Sequence, residues 1–180
     1  MRQRFVTLAV ILISFLFTVA AGAQTSQDKS KRPSPPGNTE VTLKGKTITI
    51  DYSRPSMRGR KIMGGLVPYG QVWRTGANEA TTLTTPIDLN IGGTKVPAGK
   101  YTLWTLPSAG TWKLIINKQT GQWGTQYDAS QDFARVDMRK KALNAPVEQF
   151  TISFAKAGDD KADLVMNWEN TSVFVPVTAE

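Results

Sequence analysis

Residues 87–116 read IDLNIGGTKVPAGKYTLWTLPSAGTWKLII, and this stretch decides the predicted fold. Apolar and polar residues alternate at 87–91 and again at 112–116, which is the period of a strand with one buried face. Gly92-Gly93 follows the first run and has the backbone freedom that a tight hairpin turn needs. The run 100–106 carries large apolar residues on both faces, so we expect a central strand covered on both sides.

The same alternation continues on either side of this stretch. Four further runs place apolar residues at every second position, at 48–52, 150–154, 164–168 and 173–177. Turn-forming residues separate them, for example Lys44-Gly45 and Gly158-Asp159-Asp160. No stretch keeps a helical period for three turns. The pattern predicts an all-β fold of about eight or nine strands, arranged as an antiparallel β-sandwich that is either jelly-roll-like or a partly closed barrel.

Residues 1–23 have the order of a secretory signal peptide. Arg2 and Arg4 precede a long apolar run, and the small residues Ala21-Gly22-Ala23 come before a polar stretch. The alternative is a membrane anchor, because the apolar run approaches the roughly 18 residues that span a bilayer. We favour cleavage, which predicts an exported protein, periplasmic or extracellular, without a stable membrane anchor.

Residues 24–38 read QTSQDKSKRPSPPGN and contain no large apolar residue. Such a segment cannot offset the entropy of ordering by burial, so we expect a disordered linker. Its basic residues Lys29, Lys31 and Arg32 are either solvated or in contact with an anionic lipid or cell-wall polymer. The remaining residues, 39–180, are expected to form a single β-sandwich domain.

The composition excludes several kinds of active site. The chain has no His and no Cys, which rules out Ser-His-Asp and Cys-His catalysis, Cys/His zinc sites and disulfides. Its glycine pairs are not followed by helices, and its Asp-rich turns lack calcium-loop spacing, so we predict neither a cofactor nor a metal. The chain carries 22 basic and 14 acidic residues. We expect no nucleic-acid partner for an exported protein, despite this positive charge.

One segment lacks any strand pattern. Residues 51–80 read DYSRPSMRGRKIMGGLVPYGQVWRTGANEA and are rich in arginine and glycine, with acids only at Asp51 and Glu79. A long segment without secondary-structure pattern inside a domain is usually a functional loop or an ordered excursion across the sheet. We therefore expect a long ordered loop here.

The residues of this segment also carry a resemblance to a known family. The run YSRPSMRGRKIMGGLVPYGQVWRTGANEATT, followed by PAGKYTL and by IINK with a tryptophan five residues later, resembles the exported bacterial family catalogued as domain of unknown function 2911. The likeness covers about residues 39–177. It implies a secreted β-rich protein and carries no established activity.

The chemistry of the segment favours a binding role. Arginine presents a planar fork of donors that matches carboxylate, phosphate or sulfate, and aromatic faces stack on sugars or cations. We predict a non-catalytic module that binds an anionic or carbohydrate envelope ligand, or a partner protein. The predicted binding residues are Arg54, Arg60, Tyr69, Trp73, Arg74, Asn78 and Glu79.

Two alternatives remain open. A glycan-directed hydrolase would use a pair of carboxylates, for which Asp51 and Glu79 are the candidates. A purely structural envelope protein would instead use the arginines to pin the loop, through pairing with Asp51, Glu79 or Asp88 and with loop carbonyls.

Overall fold

The computed structural model describes residues 28–180, which are nearly all antiparallel β-structure. The predicted all-β fold class is confirmed, with nine strands. The predicted signal peptide lies outside the described residues. Two short 3-10 turns accompany the strands, at Lys29–Lys31 and Ala129–Gln131. The strands are β1 (Pro36–Leu43), β2 (Lys46–Ser53), β3 (Thr82–Thr85), β4 (Leu89–Ile91), β5 (Thr94–Val96), β6 (Gly99–Leu106), β7 (Trp112–Asn117), β8 (Asp132–Lys156) and β9 (Lys161–Ala179).

The strands form one open hydrogen-bonded series in the order β1-β2-β3-β6-β7-β8-β9-β4-β5. The first part of β8 pairs with β7 and its later part pairs with β9, so β8 belongs to two layers. These layers face each other: the rings of Tyr52 in β2 and Phe150 in β8 are 5.9 Å apart, and Tyr52 Oη donates to the carbonyl of Ile152. The buried apolar side chains of both layers form one core.

The alternation read from the sequence matches the burial of the strands. Ile48 and Ile50 are fully buried in β2, while Asp51 is exposed. β6 lies between β3 and β7, and its residues from Tyr101 to Thr105 are all buried, which confirms the predicted central strand. Gly92-Gly93 forms the β4–β5 hairpin with φ of 57° and 89°, values that favour glycine.

The C-terminal strands differ from the prediction in their length. The runs 164–168 and 173–177 were expected to be separate strands, but both belong to β9. Glu169 has a left-handed φ of 53°, and the β8–β9 register shifts between Val147 and Thr151, opposite this point. An irregularity of this kind lets one strand bend and continue pairing, and the sequence pattern shows only the break in alternation.

The segment between β2 and β3, residues 54–81, is an ordered excursion. It contains no strand. Isolated antiparallel bridges hold it to the sheet at Ser56–Gln149 and Trp73–Thr105, and a third bridge, Glu79–Trp123, joins it to the connection between β7 and β8. Near its middle, Glu169 of β9 accepts from the backbone N–H groups of Ile62 and Met63 at 3.1 and 3.2 Å. The excursion therefore satisfies its backbone groups against the sandwich.

Part of the predicted linker has a defined place in the structure. β1 begins at Pro36, ahead of the predicted domain start at residue 39. Residues 28–35, which we call the N-terminal arm, lie against the excursion through ion pairs and hydrogen bonds. Because these contacts are polar, the absence of large apolar residues in the arm gave no sign of them. The domain boundaries themselves stay a prediction.

Candidate functional site

The later part of the excursion places two predicted site residues, Trp73 and Arg74, beside the central strand β6. Trp73 exchanges backbone hydrogen bonds with Thr105 of β6, at 2.8 and 3.0 Å. This pairing fixes the Trp73 side chain over the end of the core, with Arg74 next in sequence. The Trp73 ring stacks on Trp168 of β9 at 5.7 Å with an interplanar angle of 21°, and meets Phe150 edge-on at 5.0 Å.

These residues wall a cavity of about 500 Å³, which we call the aromatic pocket. Its size falls within the usual range of small-molecule sites, about 300–1,000 Å³. Aromatic rings and arginines line it, and no Asp or Glu is among the lining residues. The lining residues are Ser34, Pro55, Arg60, Leu66, Val72, Trp73, Arg74, Gly76, Ala77, Trp104, Gly124, Thr125, Tyr127 and Trp168.

The two arginines of the pocket differ in how they are held. Arg60 Nε and Nη2 donate to the carbonyls of Met57 and Ser56 at 2.9 and 2.8 Å, so its guanidinium is partly used by its own loop. The guanidinium of Arg74, by contrast, makes no hydrogen bond or ion pair with any residue in 28–180. Arg74 is half-buried. A guanidinium without a protein partner has its donors available for an anion such as a carboxylate or phosphate, which its planar fork matches.

A second unpaired donor belongs to Trp104. This side chain is 2% exposed, and its indole N–H is buried without an acceptor in the part of the chain that the structure describes. An unpaired buried donor costs about 1–3 kcal/mol. Trp104 also lines the aromatic pocket. A ligand or water oxygen that reached this N–H would remove that cost.

The backbone next to Arg74 is strained. Thr75 is fully buried at a left-handed φ of 53°, a conformation that a β-branched residue rarely adopts. Side-chain hydrogen bonds hold it there: Thr75 Oγ1 donates to the Trp73 carbonyl, and Thr81 Oγ1 donates to the Thr75 carbonyl at 2.7 Å. Strain of this kind costs about 1–3 kcal/mol and is concentrated at functional sites.

A polar network holds Tyr127, another residue that lines the pocket. Tyr127 packs on Trp104 with ring centroids 4.9 Å apart, and its hydroxyl donates to Asp132 Oδ2 at 2.7 Å. Arg135 donates to the same carboxylate and to the Tyr127 hydroxyl. Burial and the adjacent Asp132 raise the pKa of Tyr127 to about 12, so the hydroxyl stays protonated and keeps its bond. The Tyr127 ring is thereby held against the indole of Trp104.

The structure brings only some of the predicted site residues together. Arg60, Trp73 and Arg74 line the aromatic pocket. Arg54 lies elsewhere, where its guanidinium donates to the Phe150 carbonyl and to Thr151 Oγ1 of β8. Tyr69 is 42% exposed and is not among the residues that line the aromatic pocket.

Asn78 and Glu79 face the N-terminal arm instead of the pocket. Asn78 Nδ2 donates to the carbonyl of Ser34 at 3.0 Å. Glu79 pairs with Lys29 at 3.0 Å, and its two carboxylate oxygens accept from Arg32 Nη1 at 2.9 and 3.0 Å. These contacts assign both residues to a second surface, separate from the aromatic pocket.

The two candidate hydrolase carboxylates line a common cavity of about 350 Å³. Burial raises the pKa of Glu79, but its own backbone N–H, Arg32 and Lys29 together lower it to about 2. Asp51 is exposed and accepts from Asn38 Nδ2 at 2.8 Å. A glycosidase acid must hold a proton near neutral pH, which requires a raised pKa. Glu79 has the opposite shift and stays ionised.

The arrangement gives no indication of a metal centre. Within residues 28–180 no three acidic side chains are grouped to hold an ion. Over the same residues, no helix is long and apolar enough to cross a bilayer.

Comparison with known proteins confirms the family. A family model described as protein of unknown function (DUF2911) matches residues 34–177, from the end of the arm to the last part of β9. The chain belongs to this family. No curated protein and no solved structure matches the chain.

Three aromatic residues that line the pocket of this DUF2911 domain, Trp104, Tyr127 and Trp168, were not predicted as site residues. Trp104 and Trp168 lie in the predicted strands 100–106 and 164–168, where aromatic side chains usually belong to the core. Tyr127 begins the Asp-rich stretch 127–132, whose composition is typical of a surface turn. Trp104 does carry a signal, because it lies on the second face of a strand with apolar residues on both faces. Trp104 becomes part of the pocket wall because the excursion folds onto that face of the strand.

Glu79 predicts a pH dependence of stability in the DUF2911 domain. Its pKa falls from 4.5 to about 2 on folding, so its stabilisation is complete above pH 4.5 and is lost as the pH drops toward 2. Because Glu79 is partly exposed, we expect about 1 kcal/mol or less from its ion pairs. Denaturant unfolding of the parent and Glu79→Gln should differ at pH 6 and converge near pH 2. A difference that persists unchanged at pH 2 would contradict this assignment.

The close packing of Gly124, which lines the aromatic pocket, can be tested by adding a side chain at this position. A Cβ on Gly124 would lie 2.7 Å from the Asn78 carbonyl and 3.0 Å from Arg74 Cδ. Gly124→Ala should therefore destabilise the protein by about 1–3 kcal/mol and displace Arg74. Gly110→Ala is the matched control, since the nearest atom to its Cβ is 3.9 Å away. Equal midpoints of urea unfolding for the two variants would argue against this packing.

Proposed function

We propose that this DUF2911 protein is an exported, non-catalytic module that binds a small acidic saccharide in the aromatic pocket. The observation that carries the proposal is the Arg74 guanidinium, which lines the pocket without a protein partner among residues 28–180. A carboxylate is the natural partner of such a group, because its two oxygens match the guanidinium fork. The sequence pattern of residues 1–23 supports the exported location.

The apolar walls support a saccharide as the rest of the ligand. Trp73 and Tyr127 present ring surface to the cavity, and aromatic side chains combine apolar contact area with a polar edge. A flat sugar face can pack against such rings while its hydroxyls reach polar groups at the rim. The cavity of about 500 Å³ leaves room for one or two sugar rings.

The absence of acidic residues from the pocket lining favours binding over hydrolysis. A glycosidase places two carboxylates beside the scissile bond, and this lining contains none. The same absence favours an anion over a cation, since nothing in the lining offsets the charges of Arg60 and Arg74. The candidate pair Asp51 and Glu79 lines a different cavity, where Glu79 is already paired with the arm.

The indole N–H signals of the five tryptophans give a direct test. We expect titration with glucuronate to shift the signals of Trp73, Trp104 and Trp168, which line the pocket. The signals of Trp112 and Trp123 should stay in place, because neither lines it. Glucose is the neutral control and should produce much smaller shifts at the same concentration. Shifts of equal size with both sugars, or shifts confined to Trp123, would contradict the proposal.

A further inference from the structure

The N-terminal arm is bound by the excursion as a peptide is bound by a receptor. Three successive arm carbonyls each receive a donor from the excursion. Pro33 O accepts from Arg58 Nη2 at 3.1 Å, Ser34 O accepts from Asn78 Nδ2 at 3.0 Å, and Pro35 O accepts from the Arg54 N–H at 2.8 Å. Just before them, the Arg32 guanidinium is bound by both carboxylate oxygens of Glu79.

These contacts recognise two features of the bound segment, its backbone carbonyls and its cation. The excursion offers donors to backbone carbonyls, which a proline-containing segment presents even where it lacks N–H groups. It also offers one carboxylate to a cation that comes immediately before the first proline. Prolines fix the extended backbone in advance, so little entropy is lost when such a segment is bound.

The arm does not fill the surface on which it lies. A cavity of about 350 Å³ remains on one side, where Asp51 and Glu79 form part of the wall. A cavity of about 560 Å³ remains on the other side, between the arm and Trp123. Trp123 is 44% exposed there, and exposed tryptophans are enriched among the residues that dominate protein interfaces.

We propose that this groove is a recognition site for an extended Arg-Pro-X-Pro segment of another polypeptide, and that the arm occupies it in cis. The groove is defined by Arg54, Arg58, Asn78 and Glu79, with Trp123 at its edge. Glu79, the one carboxylate among these residues, pairs with Lys29 and Arg32 of the basic arm. The inference is independent of the saccharide site, because only Ser34 contributes to both surfaces.

A segment in trans has to compete with the tethered arm. A short tether gives the arm an effective concentration in the millimolar range. An isolated peptide should therefore bind the parent protein weakly, and should bind a variant with a weakened arm more tightly. Arg32→Glu is the variant of choice, because it sets an acid against Glu79 while leaving the core untouched. Arg32→Ala is a second variant that removes the cation without adding a charge.

The test uses the full chain and a fluorescent peptide of sequence DKSKRPSP, which is that of residues 28–35. Fluorescence anisotropy should show at least about tenfold tighter binding to Arg32→Glu and Arg32→Ala than to the parent. A peptide with glutamate in place of its arginine should lose this binding. In Arg32→Glu/Glu79→Arg the exchanged charges restore the arm in cis, so DKSKRPSP should not bind. Arg32→Glu/Asp51→Asn is the matched control and should bind it.

Three results would overturn the proposal. The first is equal affinity of the peptide for the parent and for both Arg32 variants. The second is binding that survives the Glu79→Arg substitution. The third is equal binding of a scrambled peptide of the same composition, which would show attraction by charge alone.

Discussion

Arg74→Ala should abolish most of the affinity for glucuronate while leaving the fold intact. The guanidinium has no protein partner among residues 28–180, so its removal breaks no internal bond and leaves no unpaired protein group. A hydrogen bond to a charged group contributes about 1.5–3 kcal/mol, which corresponds to a loss of roughly 10- to 150-fold in affinity. Calorimetric titration of the parent and the variant measures this loss.

Arg139→Ala is the matched control for Arg74→Ala. Arg139 is exposed, and it lies on β8 beside a different cavity. Its removal lowers the net charge by the same amount, so any general electrostatic attraction of the anion falls equally. The glucuronate affinity of Arg139→Ala should stay within about twofold of the parent, since Arg139 does not line the aromatic pocket and salt screens exposed charges. Equal losses of glucuronate affinity in Arg74→Ala and Arg139→Ala would show that only the net charge of the protein matters.

Trp168→Ala should give the largest loss of stability. The side chain is 1% exposed, and it packs on Trp73 at 5.7 Å and on Phe150 at 5.8 Å. Its indole N–H donates to the Glu148 carbonyl at 3.1 Å. Truncation of a buried tryptophan costs about 3–5 kcal/mol through lost burial and the cavity that remains. In a domain of this size the melting temperature should fall by on the order of 10 °C.

Trp123→Ala separates this effect from the loss of a tryptophan as such. Trp123 is 44% exposed, so its truncation should change the free energy of unfolding by about 0.5 kcal/mol or less. Thermal melts of the two variants, followed by circular dichroism, provide the comparison. A similar fall in both variants would show that Trp168 is not a central element of the core.

The strands could be predicted from the sequence because their physical rule is local. Alternation at 48–52 and 112–116 follows from one buried and one exposed face, and the Gly92-Gly93 turn follows from backbone freedom. The long β9 could not be predicted in this way. Its continuity depends on the bend at Glu169, whose carboxylate binds the backbone of the distant residues Ile62 and Met63.

The site was predictable only in part, for a related reason. The arginine-rich composition of the excursion pointed to Arg60, Trp73 and Arg74, which line one pocket. Composition could not show that Asn78 and Glu79 bind the arm, because the arm is more than forty residues away in the chain. It also could not separate Trp104 from an ordinary core residue. That distinction depends on which face of β6 the excursion covers.

The position of the ligand carboxylate shows whether Arg74 binds the anion. A crystal structure of the protein soaked in glucuronate would show it. We expect both carboxylate oxygens to lie about 3 Å from the Arg74 guanidinium, with the sugar ring against Trp73. A carboxylate bound on another surface, or an aromatic pocket without sugar at saturating glucuronate, would show that Arg74 is not the anion-binding group.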